Sequence, residues 1–354
     1  MMAKFIKGLN LSEQFFKEII KPIIKNEFPN LKYSASLIGR GSEVLGFDDQ
    51  QSVDHDWGPR VMIFINEKDK NKKIKQCIEK ELPYTFKGFP VSFTLANHKW
   101  GVRLPEKKNT GKINSRIDVY TLDEFFKKYL YFNINKKLSI KDWLIFPQQK
   151  LLTLNKGKIF YDKLGLKKVL KQFKYYPKEV WHYILASQWN RIGELSALHF
   201  RTYETGDKLG SQVIASKLVQ LLMEIWFIYN KEYIPFDKWF GRKFSELPKS
   251  SIFIENFSII LTYTDINKRK KHLDKVYSMI AKFHNSLNFP KIPTKTTQFF
   301  DRPYEIIQGK KISSKLYEIL TPEIKKMKIK NGSIDQLTNQ VDLLDNTNSF
   351  KKLY

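Results

Sequence analysis

A single cysteine, Cys77, occurs in the chain, which excludes an internal disulfide and any cysteine-based zinc site. The six histidines show no His-Glu-x-x-His or comparable ligand spacing. A dinucleotide fingerprint is absent, because the Gly-x-Gly-x-x-Gly spacing that begins at Gly39 fails at Val44. The start, MMAKFIKGLNLSEQFF, has no continuous apolar region of the signal-peptide kind. The longest apolar run, Leu218 to Tyr229, is interrupted by Gln220 and Glu224 and is too short to cross a bilayer. These absences predict a soluble, cytoplasmic protein with no membrane partner.

Arginine is also scarce, and the net charge of +26 is carried almost wholly by lysine. A lysine-rich surface neutralises phosphates, so a nucleic-acid partner is one reading. The lysines are spread along the whole chain beside abundant isoleucine and asparagine, so a compositional bias is the other. Base readers lean on the arginine fork, which weakens the first reading. With 354 residues, 42% hydrophobic and 14% aromatic, the chain has enough apolar material for two domains and a large core.

One stretch organises the rest. SLIGRGSEVLGFDDQQSVDHDWGPRVMIFI, 36–65, opens with an apolar strand running into a Gly-Arg-Gly-Ser turn. Glycines at such a turn let the backbone approach phosphate oxygens, and Ser42 adds a hydroxyl. Ser42 is expected to begin a short helix whose N–H groups face the same way. Asp54, His55 and Asp56 follow, then Val61 to Ile65 as a buried strand. In an extended strand side chains two apart point the same way, so Asp54 and Asp56 share one face and His55 takes the other. The two carboxylates repel unless a cation lies between them or one is protonated. Asp48 and Asp49 are expected to cap the turn before Ser52. Arg60 could reach a phosphate or pair with a nearby aspartate. Pro59 inside the strand argues for an edge or a bulge there.

Gly41-Ser42 followed by Asp54-x-Asp56 resembles the signature of the nucleotidyltransferase superfamily, the polymerase-beta-like fold. The longer string DDQQSVDHDWGPR resembles one bacterial and archaeal branch of it, in which a helical domain follows the catalytic one. His55 sits where the family has an apolar residue, so the resemblance implies a buried, hydrogen-bonded histidine and not a catalytic base. The resemblance also implies a third carboxylate on a later strand. Asp118, in Arg116-Ile117-Asp118-Val119-Tyr120, is the good match, because the alternation sets Asp118 on a polar face with Arg116 and Tyr120. Asp123 is a weaker candidate, and a plain ion pair of Asp118 with Arg116 is the structural alternative.

Elsewhere, Ser12 to Phe28 has helical apolar spacing with Ser12 as N-cap and a break or kink expected at Pro22. Glu67 to Leu82 reads as a basic surface helix and Phe89 to Leu95 as a strand. Leu122 to Tyr131 leaves the sheet. Lys150 to Asp162 reads as a hairpin turning at Asn155-Lys156-Gly157. Glu179 to Phe200 and Ser211 to Tyr229 are long amphipathic segments, with Trp181, Trp189, Leu195, Leu198 and Phe200 as core; Ile252 to Leu287 adds helices. HFRTYETGDKLGSQVIASKLVQLLMEIW and YIPFDKWF resemble the helical domain of the same branch. There the resemblance singles out Arg201, Asp207, Lys217 and Lys238, with Lys217 and Lys238 as bases for the triphosphate; Lys238-Trp239 as a packing pair is the alternative.

The expected fold is α+β: a nucleotidyltransferase domain over 1–130 with a mixed sheet, a linker hairpin and helical bundle over 131–311, and a tail over 312–354. The implied reaction moves a nucleoside monophosphate, most simply AMP from ATP, to a hydroxyl acceptor with release of pyrophosphate. Two magnesium ions would be held by Asp54, Asp56 and Asp118. Gly41, Ser42, Arg60, Lys217 and Lys238 would bind the triphosphate. The acceptor, a small molecule, a protein or an RNA, stays open. So does a different class: a non-catalytic RNA- or protein-binding module, antitoxin-like, on the same fold.

Overall fold

Four segments with alternating or continuous apolar character pair into one mixed sheet in the computed structural model, which describes residues 4–96, 101–327, 332–338, 344 and 347–351. They are β1 (Tyr33–Leu37), β2 (Arg60–Ile65), β3 (Arg116–Tyr120) and β4 (Lys158–Asp162), in the spatial order β3-β2-β1-β4. β1 is antiparallel to both neighbours, and β2 runs parallel to β3 with Met62 opposite Asp118. Ala35, Ile63 and Ile117 are fully buried on one face. Each large aliphatic side chain so buried contributes roughly 1.5–3 kcal/mol. The chain is α+β: this sheet-bearing part is followed in sequence by a mainly helical one.

The chain divides into two compact units, Met1–Lys137 with Lys150–Lys174, and Leu138–Gln149 with Tyr175–Tyr354. In the first, the opening helix starts at Gly8, four residues before the expected cap. Ser12 is inside it, buried, and its hydroxyl accepts from the Arg60 N–H at 3.4 Å. A π-helical turn, Phe16–Ile20, precedes Pro22, so the helix runs on to Glu27 without breaking. The extra residue in that turn absorbs the missing N–H and the ring clash of the proline. Phe15, Phe16, Ile20 and Ile24 face the core as their spacing predicts.

Three further expectations are corrected. Lys150 to Asp162 is no hairpin: a helix, Gln148–Lys156, buries Leu151, Leu152 and Leu154 before β4 returns to the sheet against β1. Leu at 151, 152 and 154 fits a helical stripe better than strand alternation. Phe89 to Leu95 forms only two-residue ladders, Phe89–Pro90 and Ser92–Phe93, because Pro90 denies the pairing a donor. Pro59 lies before the first residue of β2, so it constrains nothing in the ladder, and β2 is an interior strand.

The second unit is built on two long helices, α1 (Lys178–Glu204) and α2 (Lys208–Tyr229), with α3 (Asp237–Ser245), α4 (Ser251–Thr262), α5 (Ile266–Ser286) and α6 (Gly309–Glu318) following. Trp189 and Phe200 are buried as expected; Trp181 is half-buried and donates to the Ile228 carbonyl at 2.8 Å, and Leu198 is exposed instead. The whole of α2 is long and apolar enough to cross a bilayer, although the run inside it is not, yet most of it is buried within the unit.

Candidate active site at the Gly-Ser turn

β1 ends at Leu37, and the chain then turns through Gly39 to Ser42 into a single helical turn, Glu43–Leu45, with Ser42 at its start. Gly41 adopts φ +134°, and a Cβ there would collide with the Glu43 carboxylate at 2.3 Å. Only glycine fits. Glu43 is buried and pairs with Arg60 Nη1 at 2.5 Å. The same guanidinium donates to the carbonyls of Asp56 at 3.1 Å and Arg40 at 3.3 Å. Arg60 therefore does pair with an acid, a glutamate rather than an aspartate, and is turned inward to hold the turn instead of standing ready for a phosphate. Burial pushes the Glu43 carboxyl up, and Arg60 works against that rise.

The Asp-x-Asp segment is not on the strand. Asp54 ends a short 3-10 turn, Gln50–Asp54, and Asp56 takes a left-handed conformation, φ +51°. Trp57, Gly58 and Pro59 cause this. Trp57 is buried, with its indole donating to Asp48 at 3.1 Å, and Gly58 is bent to φ +146° against Phe93. Strand pairing therefore begins only at Arg60. His55 is consequently exposed, with Nδ1 at 2.8 Å from Asp54, where a buried histidine was expected. Asp49 caps the 3-10 turn reciprocally with Ser52, as expected. Asp48 does not; its carboxylate is buried and accepts from the Gly8 N–H at 2.7 Å.

Asp56 forms an ion pair with Arg116, which starts β3. Asp118 lies two residues along the same half-buried face as Arg116 and Tyr120, while Ile117 and Val119 are buried on the other. Burial and the nearby Arg60 hold the Arg116 guanidinium below its usual range; Asp56 and Asp118 act the other way. Arg116 thus serves both carboxylates electrostatically. Asp123 stands apart, paired with Lys127 at 2.6 Å on its own helix.

Among the described residues, no group of three or more His, Cys, Asp or Glu side chains is gathered to hold a metal. Asp54, Asp56 and Asp118 are not drawn into one ligand set. In kind they still suit a hard divalent cation, being oxygen donors only, two of them already sharing the influence of one positive group.

Two contributors escaped the sequence reading. Glu43 could have been found: an acid directly after Gly-Ser needs a counter-charge, and Arg60 at the strand start supplies it. Lys150 could not; it is buried, with its ammonium over the rings of Tyr129 at 5.6 Å and Tyr131 at 5.8 Å. Tyr129 backs the turn at Gly39 and shares a hydrogen bond with Thr153 at 2.6 Å.

Lys217 and Lys238 belong to the second unit, and both are exposed. Lys238 lies over the Trp239 ring at 4.2 Å, the packing alternative. Arg201 pairs with Glu204 at 3.5 Å, and Asp207 caps α2 through the Gly210 N–H at 2.7 Å.

Residues 143–240 match a family described as a domain of unknown function (DUF4037). No curated protein matches the chain. Among solved structures it is similar to a nucleotidyltransferase-like protein from Exiguobacterium sibiricum 255-15, at 10% identity and a TM-score of 0.34, over 86% of this chain and 88% of that one. At that level the likeness transfers neither residues nor activity.

Proposed function

We propose that the chain is a magnesium-dependent nucleotidyltransferase, moving a nucleoside monophosphate, AMP by preference, from a nucleoside triphosphate to a hydroxyl acceptor and releasing pyrophosphate. The observation that carries this reading is the convergence of three sequence-distant parts through two arginines. Arg60 draws in the Gly-Ser turn at Glu43 and the Arg40 carbonyl, and Arg116 joins the Asp-x-Asp loop to the strand of Asp118.

Asp54, Asp56 and Asp118 would hold magnesium, which when bound lowers the pKa of the acceptor hydroxyl and neutralises charge on the leaving pyrophosphate. The backbone at Gly41, where no side chain fits, and the Ser42 hydroxyl would take the triphosphate oxygens. Arg116, once Asp56 turns to the cation, becomes a second positive group for those oxygens. The acceptor is any hydroxyl compound that satisfies the same chemistry: a small molecule, a protein side chain or an RNA end.

A second reading has its own observation. Asp56 is already neutralised by Arg116, and no ready ligand set exists among the described residues. That would suit a non-catalytic RNA- or protein-binding module. Labelled nucleoside triphosphates, magnesium and separated RNA, protein and metabolite pools decide between them. Transfer to one pool supports the enzyme. Magnesium-independent RNA binding with a steep salt dependence, and no transfer, supports the module.

A further inference from the structure

The second unit holds a buried guanidinium, Arg269, that forms no ion pair among the described residues. Arg269 on α5 is 0% exposed, and so is His199 on α1. Arg269 makes one hydrogen bond, from Nη2 to the Thr264 carbonyl at 3.1 Å. Its Nε and Nη1 have no partner among the described residues, nor does either ring nitrogen of His199. The groups that favour the charge are only the Tyr203 ring, 5.9 Å away, and Asp265. Asp265 is exposed and committed to capping its own helix at Lys268, 2.7 Å. Guanidinium groups are rarely left inside a protein without an anion, because the desolvation they suffer is then uncompensated.

We infer that Arg269 and His199 together form a binding site for a phosphate group. The donor count selects the ligand class. Arg269 offers the Nε–H and both Nη1 hydrogens to oxygens. In the anion-free chain burial and the neighbouring Arg269 charge pull His199 down to about 3, so an incoming anion meets an imidazole with one N–H and one lone pair. A monohydrogen phosphate has oxygens for every N–H and a P–OH for the lone pair. Sulfate or chloride leaves that lone pair unanswered.

The sequence neighbours of both residues carry one hairpin. The residue after His199, Phe200, stacks on Tyr304 with ring centroids 4.8 Å apart, and the residue after Arg269, Lys270, pairs with Glu305 at 3.0 Å. Both partners belong to the hairpin Thr297–Gln298 and Glu305–Ile306, which Ile266 also supports. The hairpin therefore rests on the two residues that follow His199 and Arg269 in the chain.

The test uses the full chain in EDTA, with inorganic phosphate, methyl phosphate, sulfate and chloride at matched ionic strength. Inorganic phosphate should raise the melting temperature of the wild type saturably, and sulfate should do so less. Calorimetry should show Arg269→Met binding phosphate at least tenfold more weakly, with an anion-free melting temperature at or above that of the wild type. Methyl phosphate binding as well as phosphate would assign the site to a phosphomonoester; exclusion of the ester would assign it to free phosphate. Equal phosphate responses in the wild type and Arg269→Met, or equal responses to phosphate and sulfate, would overturn the assignment. Should Arg269→Met fail to fold, phosphorus NMR of the wild type against His199→Phe decides: a phosphate line that neither protein broadens overturns it.

Discussion

Arg116 donates to Asp56 across an interval of 60 residues, tying the start of one strand to the loop before its parallel neighbour. The pair occupies the carboxylate that the proposed reaction assigns to a cation. Arginine and magnesium should therefore compete for Asp56.

Replacing Arg116 with methionine should tighten binding of magnesium or manganese alone by about three- to tenfold, roughly 0.7–1.4 kcal/mol. The same change should weaken triphosphate binding, because a positive group for the phosphates is lost. Titration with each ligand separately checks both directions. Weaker metal binding in the variant would contradict the competition.

The two aspartates should part company in stability. Asp54 is exposed and touches only His55, so Asp54→Ala should leave the melting temperature unmoved. Asp56→Ala leaves the largely buried Arg116 without its partner and should cost about 1–3 kcal/mol. Mutual repulsion read from the sequence spacing would have made both variants at least as stable as the wild type. Paired denaturation curves separate the accounts.

Glu43→Ala should destabilise by about 3–5 kcal/mol, since it strands Arg60 in the interior. Adding Arg60→Met should restore much of that stability, as apolar replacement of a whole buried pair often does. The restored protein should still fail to bind triphosphate, because the Arg40 carbonyl and the Asp56 loop lose their common donor. Recovery of both properties would remove Arg60 from the site's support.

The helical unit should weaken in acid for a stated reason. Burial pulls His199 down to about 3 and His182 to about 4, against an ordinary value of 6.5. The unfolded chain then binds more protons than the folded one between those values. Their contribution is complete above about pH 6.5 and is lost as the pH falls towards 4 and then 3. In phosphate-free buffer, His199→Phe should flatten this acid limb. An unchanged pH profile would mean that His199 is solvated in the folded state.

Where local pattern and tertiary packing agree, the residues were legible. Ile117 and Val119 alternate with Asp118, and the strand and its polar face follow. The long helices of the second unit follow from their apolar period. The failures have a common physical cause in long-range partners. Asp54 to Asp56 read as part of the strand, yet Asp54 closes a 3-10 turn and Asp56 is left-handed, so His55 stands outside the ladder and exposed. Ser12 looks like a cap until Arg60 claims its hydroxyl from inside the helix. Lys158 to Asp162 reads as half of a local hairpin, yet its partner is β1, more than a hundred residues earlier. No window of sequence contains such pairs.

The central claim is nucleotidyl transfer, and one measurement meets it directly: passage of the α-phosphate label of a nucleoside triphosphate into an acceptor pool in magnesium, with pyrophosphate counted in parallel. The account predicts label in one pool, matched by pyrophosphate, and loss of both to background in Asp56→Ala and Asp118→Ala. Transfer that persists in those variants, or no transfer from any of the four triphosphates to any pool, would contradict it.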